Sequence, residues 1–256
     1  MYHALLDAQG ACPGADPHYA VAPGTLGRHL ELLAGEGMRA SSVRDLLEAG
    51  DAGGRVGFTF DDGHESNAAA AQAIIAAGGT ADLFVNPSLV GAPRYLDWSA
   101  LADLARAGIS IQSHGHTHRY FDELSEAEIG EELARSKAAI EDRIGRPVTV
   151  FAPPGGRLTP RVAPVAQRLG YRAICSSRAG LWRADASAWD IPRLAVLAST
   201  GEAQFRRWIA MDRWEMARIG MRHRALAAAK ALLGNRGYER LRAGLLAAGP
   251  RRGRAS

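Results

Sequence analysis

Two adjacent carboxylates, Asp61 and Asp62, are the first residues of this chain suited to chemistry. They follow the apolar run Val56–Phe60, which has the composition expected of a buried β-strand. In barrels of parallel strands, the carboxyl ends of the strands carry the active site, so this position favours a catalytic role. An isolated Asp-Asp-Gly sequence is more typical of a turn or a helix cap, and its meaning depends on which other residues meet it.

Three histidines lie within five residues, His114, His116 and His118, after the predicted strand Ile109–Ser113. Since His114 and His118 are four positions apart, one helical turn or a tight loop could direct both imidazoles at a shared ion. Two histidines and one carboxylate form a three-ligand set that leaves a position for water, which is typical of catalytic metal sites. One aspartate of the pair would bind the cation and its neighbour would take the proton of water. A solvated polar loop is the alternative, and His116 is expected to point elsewhere as a supporting residue.

A third segment, Phe151–Gly156, begins in the last two residues of the apolar run Val148–Ala152 and has the sequence Phe-Ala-Pro-Pro-Gly-Gly. It is rigid at its two prolines and open at its two glycines. Such a loop can present a backbone N–H to an anionic intermediate, and a plain turn is the alternative interpretation.

The elements that must position these residues alternate between strands and helices. The predicted strands are Tyr2–Leu6, Val56–Phe60, Ala81–Val85, Ile109–Ser113, Val148–Ala152, Arg172–Ser176 and Ile191–Val196. The predicted helices between them are Thr25–Ala34, Asn67–Ala77, Trp98–Ala107, Glu126–Ile144 and Pro160–Leu169. This βαβα order predicts a parallel sheet of about seven β/α units, either a barrel or an open doubly wound sheet.

The pattern changes after Ser199 to the helical stretches Glu202–Leu233 and Tyr238–Ala247. We therefore predict a catalytic domain over residues 1–200 and a basic helical extension over residues 201–256. From Ala203 onward there are 13 Lys or Arg against 3 Asp or Glu, within a net charge of +4 for the chain. Charge alone does not choose between nucleic acid, anionic lipid and an acidic partner for this extension, and apolar residues that cover the barrel are the simpler interpretation.

The composition is that of a soluble globular protein, with 47% hydrophobic and 23% charged residues in 256. The first ten residues have neither the basic nor the apolar segment of a signal peptide, so a cytoplasmic enzyme is expected. The two cysteines, Cys12 and Cys175, match no metal-ligand spacing and are interpreted as reduced thiols.

Taken together and in this order, the Thr-Phe-Asp-Asp-Gly, His-x-x-x-His and Phe-Ala-Pro-Pro-Gly-Gly motifs resemble those of the polysaccharide deacetylases, the NodB-homology group of carbohydrate esterase family four. The resemblance extends from the Tyr-His start at Tyr2 to about Val196 and includes the Leu-Asp-Trp segment that ends at Trp98. It implies a distorted (β/α)7 barrel that removes acetyl groups from N-acetylglucosamine-type units.

By position, the resemblance implies that Asp61 is the general base and that Asp62, His114 and His118 bind a divalent metal ion, with zinc as the expected ion. Gly155 falls where these enzymes usually have a tyrosine whose backbone N–H helps to hold the oxyanion. Pro154 and Trp98 are expected to contact substrate.

The chain departs from the family pattern in two further places. Ala152 stands where many members have an arginine that pairs with the base, a change associated with the exopolysaccharide-synthesis branch, and Arg193 is a candidate replacement. No Leu-x-x-His segment that would supply the usual general acid is found near the end of the barrel region, and His3 and His116 are candidates for that role.

The sequence therefore predicts a metal-dependent hydrolase of N-acetyl groups on a polysaccharide or oligosaccharide, with no nucleic-acid partner. Two alternatives stay open at this point: a catalytically silent saccharide-binding or assembly protein, and a related hydrolase of another amide or imide. The basic C-terminal helices are candidates for a peripheral contact with the inner membrane face or with a glycosyltransferase.

Overall fold

The computed structural model describes residues 1–50, 53–183, 185–222 and 225. Nine short strands are found in this part of the chain: β1 Ala4–Leu5, β2 Ala20–Val21, β3 Arg39–Ser41, β4 Arg55–Gly57, β5 Thr59–Phe60, β6 Asp82–Val85, β7 Ser110–Ser113, β8 Val150–Phe151 and β9 Ala173–Ile174. The α-helices with assigned bounds are α1 Pro23–Gly35, α2 Val43–Ala49, α3 Asn67–Ala76, α4 Trp98–Arg106, α5 Glu126–Ile144, α6 Val162–Arg168 and α7 Glu202–Ile209.

Five parallel strands, in the order β5-β6-β7-β8-β9, form the main sheet. Two segments without regular strand structure extend this sheet into a ring. On one side Tyr2 forms a parallel bridge with Phe60, and on the other side Ile191 forms one with Cys175. The ring closes where the backbone N of Met1 donates to Leu194 O and Val196 N donates to Met1 O. The fold is therefore the distorted (β/α)7 barrel that the family resemblance implies, and the loops that follow β5, β7 and β8 lie at its carboxyl-terminal edge.

The predicted strand Ile191–Val196 is wrong as a regular strand, because only Ile191 forms a bridge. Pro192 has no N–H to donate to a ladder. The amide of Arg193 donates instead to Arg178 O. This irregular segment leaves the side chain of Arg193 buried.

The predicted strand Val56–Phe60 is divided between two sheets. Its first part, β4, pairs with β3, and its second part, β5, pairs with β6. The chain changes partner at Phe58, whose amide donates to Ser41 O and whose carbonyl accepts from Asp82 N. This transfer places Asp61 and Asp62 directly after the short strand β5.

Helix α5 has the bounds that the sequence predicts. Ser125 and Glu128 form a capping box at its start, and Gly145 ends it in the left-handed conformation. Its buried face carries Ile129, Leu133 and Ile140, and it also carries a buried carboxylate, Glu132.

The predicted helix Glu202–Leu233 is interrupted in the structure. Helix α7 ends at Ile209, Met211 takes a positive φ of 51°, and residues 213–222 are again helical. Helix α7 packs on α1, where Phe205 stacks on His29 with ring centroids 3.8 Å apart. The chain divides into compact units at Met1–Asp212 and Arg213–Ser256, so α7 is part of the first. The division into domains at residue 200 stays a prediction, and the predicted helix Tyr238–Ala247 lies outside the described residues.

In the described part of the chain, no helix has both the length and the apolar character needed to cross a membrane.

Candidate active site

Asp62, His114 and His118 meet at the carboxyl-terminal edge of the barrel, and we call these three residues the Asp62 cluster. Oδ1 of Asp62 lies 3.3 Å from Nε2 of His114 and 3.2 Å from Nε2 of His118. One ligand atom from each residue lies within 4.8 Å of the other two. The side chain of His114 is 2% exposed, whereas those of Asp62 and His118 are 34% and 37% exposed. The cluster is therefore open on one side, where a substrate can approach.

The backbone is strained at two of these three residues. Asp62 has a φ of 76° and His118 a φ of 61°, in the left-handed region that non-glycine residues rarely occupy. Only four non-glycine residues in the described part of the chain have a positive φ. Strain of this kind persists where the surrounding structure enforces it, and such sites are often functional.

The donor set fits a divalent metal ion. Nδ1 of His114 donates to Ala152 O at 2.7 Å, so Nε2, which faces Asp62, is the ring nitrogen that can bind a metal. Burial acts to raise the pKa of Asp62, but contacts with His114 and His118 outweigh it and hold the pKa well below its ordinary value. The carboxylate is therefore ionised, as ligation requires. An open set of two histidines and one aspartate suits zinc.

The histidine loop is fixed by two buried polar side chains. Glu132 of α5 accepts hydrogen bonds from the backbone N–H groups of His116 and Thr117, at 2.8 and 2.9 Å. Nδ2 of Asn86, after β6, donates to His114 O at 2.6 Å. These contacts hold the loop so that His114 and His118 face Asp62.

Asp61 lies beside the cluster in a buried ion pair with Arg193. The Arg193 guanidinium donates to Oδ1 of Asp61 at 2.7 Å and to Oδ2 at 2.9 Å. It also donates to Ser176 O at 3.0 Å and to the hydroxyl of Thr59 at 3.2 Å. Asp61 and Arg193 are 3% and 6% exposed. Arg193 therefore reaches from the irregular segment after β9 to the residues around β5.

This pair controls the charge of Asp61. Burial acts to raise the pKa of Asp61, but the positive charge of Arg193 outweighs it, so the pKa is lower than its ordinary value. Asp61 is thus an ionised carboxylate at neutral pH, which is the state that a general base needs.

Gly155 and Pro154 belong to a single 3₁₀ turn, Pro154–Gly156, that follows β8. Gly155 has a φ of 62°, and a Cβ atom on it would lie 3.0 Å from Cε1 of Tyr120. Tyr120 follows the histidine loop, and its ring centroid is 6.5 Å from that of His118. The structure therefore brings Gly155 close to the residues around the Asp62 cluster, whereas Pro154 is buried.

Trp98 is the first residue of helix α4. Its indole lies 5.9 Å from the guanidinium carbon of Arg143, near the end of α5. Contact of Trp98 with substrate stays a prediction.

The two candidate acids occupy different surroundings. His3 lies near Asp61, Asp62 and His114, whose charges act on it, and its buried Nδ1 has no hydrogen-bond partner among the described residues. The charges that act on His116 are those of Arg135, Glu132 and Glu131, on α5. Only His3 therefore shares the surroundings of Asp61.

An apolar cavity of about 400 Å³ lies elsewhere on the barrel wall, between α2, α7 and the segment around Trp182. Arg193 and Thr59 line one end of it, but no member of the Asp62 cluster does. Its walls supply no metal ligand and no general base, so the cluster defines the candidate active site.

Sequence reasoning did not identify Glu132, Asn86 or Tyr120. Glu132 could have been identified from the sequence, because it is a carboxylate on the apolar face of α5 between Ile129 and Leu133. Asn86 and Tyr120 lie in loops and could not have been, since only the tertiary structure brings them to the site.

The chain is similar to known proteins in sequence and in fold. Residues 49–174 match the family model described as "Polysaccharide deacetylase". The Bacillus subtilis (strain 168) protein named "Putative polysaccharide deacetylase YxkH" is 25% identical over 153 residues, which cover 59% of this chain and 55% of that protein. This chain thus matches only about half the length of that relative.

Solved structures show the same fold. The deacetylase PplD of Streptococcus pyogenes, in complex with acetate, superposes with a TM-score of 0.70 at 21% identity, covering 77% of this chain and 91% of PplD. IcaB from Ammonifex degensii superposes with a TM-score of 0.67 at 20% identity, covering 84% of this chain and 97% of IcaB. Together with the assembled motifs, these matches show that the chain carries a polysaccharide deacetylase domain of the NodB-homology group.

Proposed function

We propose that this protein is a metal-dependent deacetylase that hydrolyses N-acetyl groups on amino-sugar units, of N-acetylglucosamine type, in a polysaccharide or its oligosaccharide precursor. One observation carries the proposal: an open cluster of metal ligands lies next to a buried, ionised carboxylate held by an arginine. A purely saccharide-binding protein has no use for this combination.

Asp62, His114 and His118 are the residues that would hold the ion, which we propose to be zinc. When bound, a divalent ion supplies Lewis acidity for the acetamide carbonyl and for water.

The chain's own residues account for the proton movements. Asp61 accepts a proton from the attacking water as the bond from oxygen to the acetyl carbon forms. The backbone N–H of Gly155 donates to the oxyanion that develops on the former carbonyl oxygen. His3 then donates a proton to the nitrogen as the C–N bond breaks, which yields acetate and a free amine.

Its position makes His3 the better acid of the two candidates. It lies close enough to the site for the charges of Asp61 and Asp62 to act on it. Burial lowers the pKa of His3, although those two carboxylates oppose the shift. A lower pKa makes the imidazolium a stronger acid, while a smaller fraction of it is protonated at neutral pH.

Acetate release from N-acetylglucosamine oligomers tests the function. Metal-stripped protein should be inactive, and restoring zinc should return the activity. Asp61→Asn should keep the metal and lose most of the activity, because only the base is removed. Asp103→Asn makes the same change at an exposed residue and serves as the control. Acetate release by Asp61→Asn at the native rate would show that another group is the base.

A matched pair of variants tests the acid. His3→Gln should lower acetate release from the sugar amide by about 10²-fold or more. It should have little effect on an aryl acetate, whose leaving group needs no proton. His116→Gln should leave both activities near the native level. Equal losses on the two substrates with His3→Gln would exclude His3 as the acid.

We also propose that the activity belongs to exopolysaccharide synthesis. This proposal is supported by Ala152, which stands in place of the arginine found in many other members. A cytoplasmic location, and contact of the basic C-terminal segment with the membrane face or a glycosyltransferase, stay predictions. Cell fractionation of the full chain, with and without high salt, tests both, because electrostatic attachment is released by salt.

A further inference from the structure

The ring of Tyr120 lies between the histidine loop, which follows β7, and the turn Pro154–Gly156, which follows β8. Its ring centroid lies 6.5 Å from that of His118 on one side, and its Cε1 would lie 3.0 Å from a Cβ on Gly155 on the other. The absence of a side chain at Gly155 is therefore what lets the ring stand there. Tyr120 is half-buried, and its neighbour His118 has a side chain that is 37% exposed.

Arg157 holds this ring in place. The guanidinium carbon of Arg157 lies 3.6 Å from the ring centroid of Tyr120, in cation–π geometry. The same guanidinium lies 3.6 Å from Asp122 and 3.5 Å from Glu123. The Arg157 side chain is only 8% exposed. The loop after the histidines and the turn after β8 thus meet through one fixed contact.

A fixed, half-exposed aromatic ring beside a catalytic cluster suits one kind of ligand surface. A pyranose ring has an apolar C–H face, and an aromatic side chain offers a flat apolar surface for it at low cost in conformational entropy. Ion pairs behind the ring keep it oriented before substrate arrives, which is how a binding site is preorganised.

We propose that the sugar ring that carries the acetyl group stacks on the ring of Tyr120, which is the platform for it. Arg157 holds this ring in place, and the absence of a side chain at Gly155 leaves room for it. This inference rests on the proposed function, because it takes an amino-sugar chain as the substrate. It makes Tyr120 a specificity-determining residue, whereas Arg157 is a positioning residue.

Binding without turnover tests the platform separately from catalysis. The zinc-loaded Asp61→Asn protein is titrated calorimetrically with a pentamer of N-acetylglucosamine, and Tyr120→Leu and Tyr120→Phe are added to it. Leucine keeps apolar bulk but removes the ring, so the Kd should rise about 10-fold, whereas phenylalanine should stay within about 2-fold. Trp214→Leu removes an aromatic ring that is 78% exposed and belongs to the second compact unit, and it should leave the Kd unchanged.

An unchanged Kd with Tyr120→Leu would overturn the inference, and so would a parent protein that binds no pentamer. Equal weakening by leucine and phenylalanine would also overturn it, because the hydroxyl would then matter and the ring face would not. Acetate release by the native protein is measured in parallel. Release with no effect of Tyr120→Leu on the Kd refutes the platform alone, whereas no release from any acetylated sugar refutes the proposed function.

Discussion

Removal of the Arg193 guanidinium should destabilise the protein more than removal of any exposed arginine. Arg193→Met keeps much of the side-chain length but leaves Asp61 buried without its counter-charge. Breaking a buried ion pair from one side typically costs about 3–5 kcal/mol, because the remaining charge is left uncompensated. For a chain of this size, each kcal/mol lowers the Tm by roughly 2–4 °C, so we expect a fall of about 10 °C.

Arg28 is the matched control, since it also bonds to two carboxylates, Glu31 and Glu202. Its side chain is 49% exposed, and water therefore screens those interactions. Arg28→Met should therefore lower the free energy of unfolding much less than Arg193→Met does. Denaturant unfolding of both variants at pH 7 measures the difference.

A double variant separates charge from packing. If the cost of Arg193→Met comes from the unpaired carboxylate, then adding Asp61→Asn should recover part of the lost free energy of unfolding. Arg193→Lys keeps the charge but loses the two-pronged geometry, so it should fall between the native protein and Arg193→Met. The reasoning is refuted if Arg193→Met unfolds within about 1 kcal/mol of the native protein.

The same variant should change the pH dependence of activity. With Arg193 present, the pKa of Asp61 is lower than its ordinary value, although burial acts to raise it. Without Arg193, burial acts unopposed by that charge and the pKa rises. The acid limb of the rate profile for acetate release should then move to higher pH in Arg193→Met.

Three further outcomes are expected. Asp82 is fully buried, and burial raises its pKa to about 7. Its contribution to stability is therefore present at low pH and is lost as the pH rises from about 4 to 7. In denaturant unfolding, Asp82→Asn should be more stable than the native protein by up to about 4 kcal/mol at pH 8, with little difference at pH 4. Gly156 has a φ of 64°, and a Cβ atom on it would collide with Ser177, so Gly156→Ala should lower the free energy of unfolding by about 2–5 kcal/mol. Gly145 has a φ of 69° but open space around it, so Gly145→Ala should lower it by only about 1 kcal/mol. Zinc at 100 times its Kd should raise the stability of metal-stripped protein by about 2.7 kcal/mol and that of His114→Ala by much less, as thermal unfolding will show.

Some elements could be predicted from the sequence because their signals are local. The bounds of α5 follow from the capping pair Ser125 and Glu128 and from Gly145, all of which act within one turn of the helix ends. The Asp62 cluster could be predicted because two of its residues share a loop and the third follows another strand. In parallel strands such loops meet at one edge.

Other elements depended on contacts that no local pattern contains. The segment after β9 was predicted to be a strand from its apolar residues, but Pro192 prevents a regular ladder. Helix α2, Val43–Ala49, is only seven residues long and was not predicted. Its start is fixed by Ser42, which accepts from Asp45 N, and by Asp82, which accepts from Val43 N. Asp82 is distant in sequence, so this part of the start signal is tertiary.

Arg193 shows that the cation beside a buried carboxylate must have the right position in space, whereas its position in the sequence can vary. Ala152 belongs to a buried cluster with Phe84, and the Arg193 guanidinium carbon lies 5.5 Å from the ring of the same Phe84. The two positions thus lie on the same side of the barrel interior, and a small residue at one leaves room for a long one near it. Because a buried carboxylate must be compensated wherever the cation comes from, the loss of an arginine after β8 can be balanced by one after β9. Meanwhile Ala152 still acts through its backbone, since its carbonyl orients His114. A motif that lacks its usual side chain can therefore keep its role when the backbone contact and the charge are supplied separately.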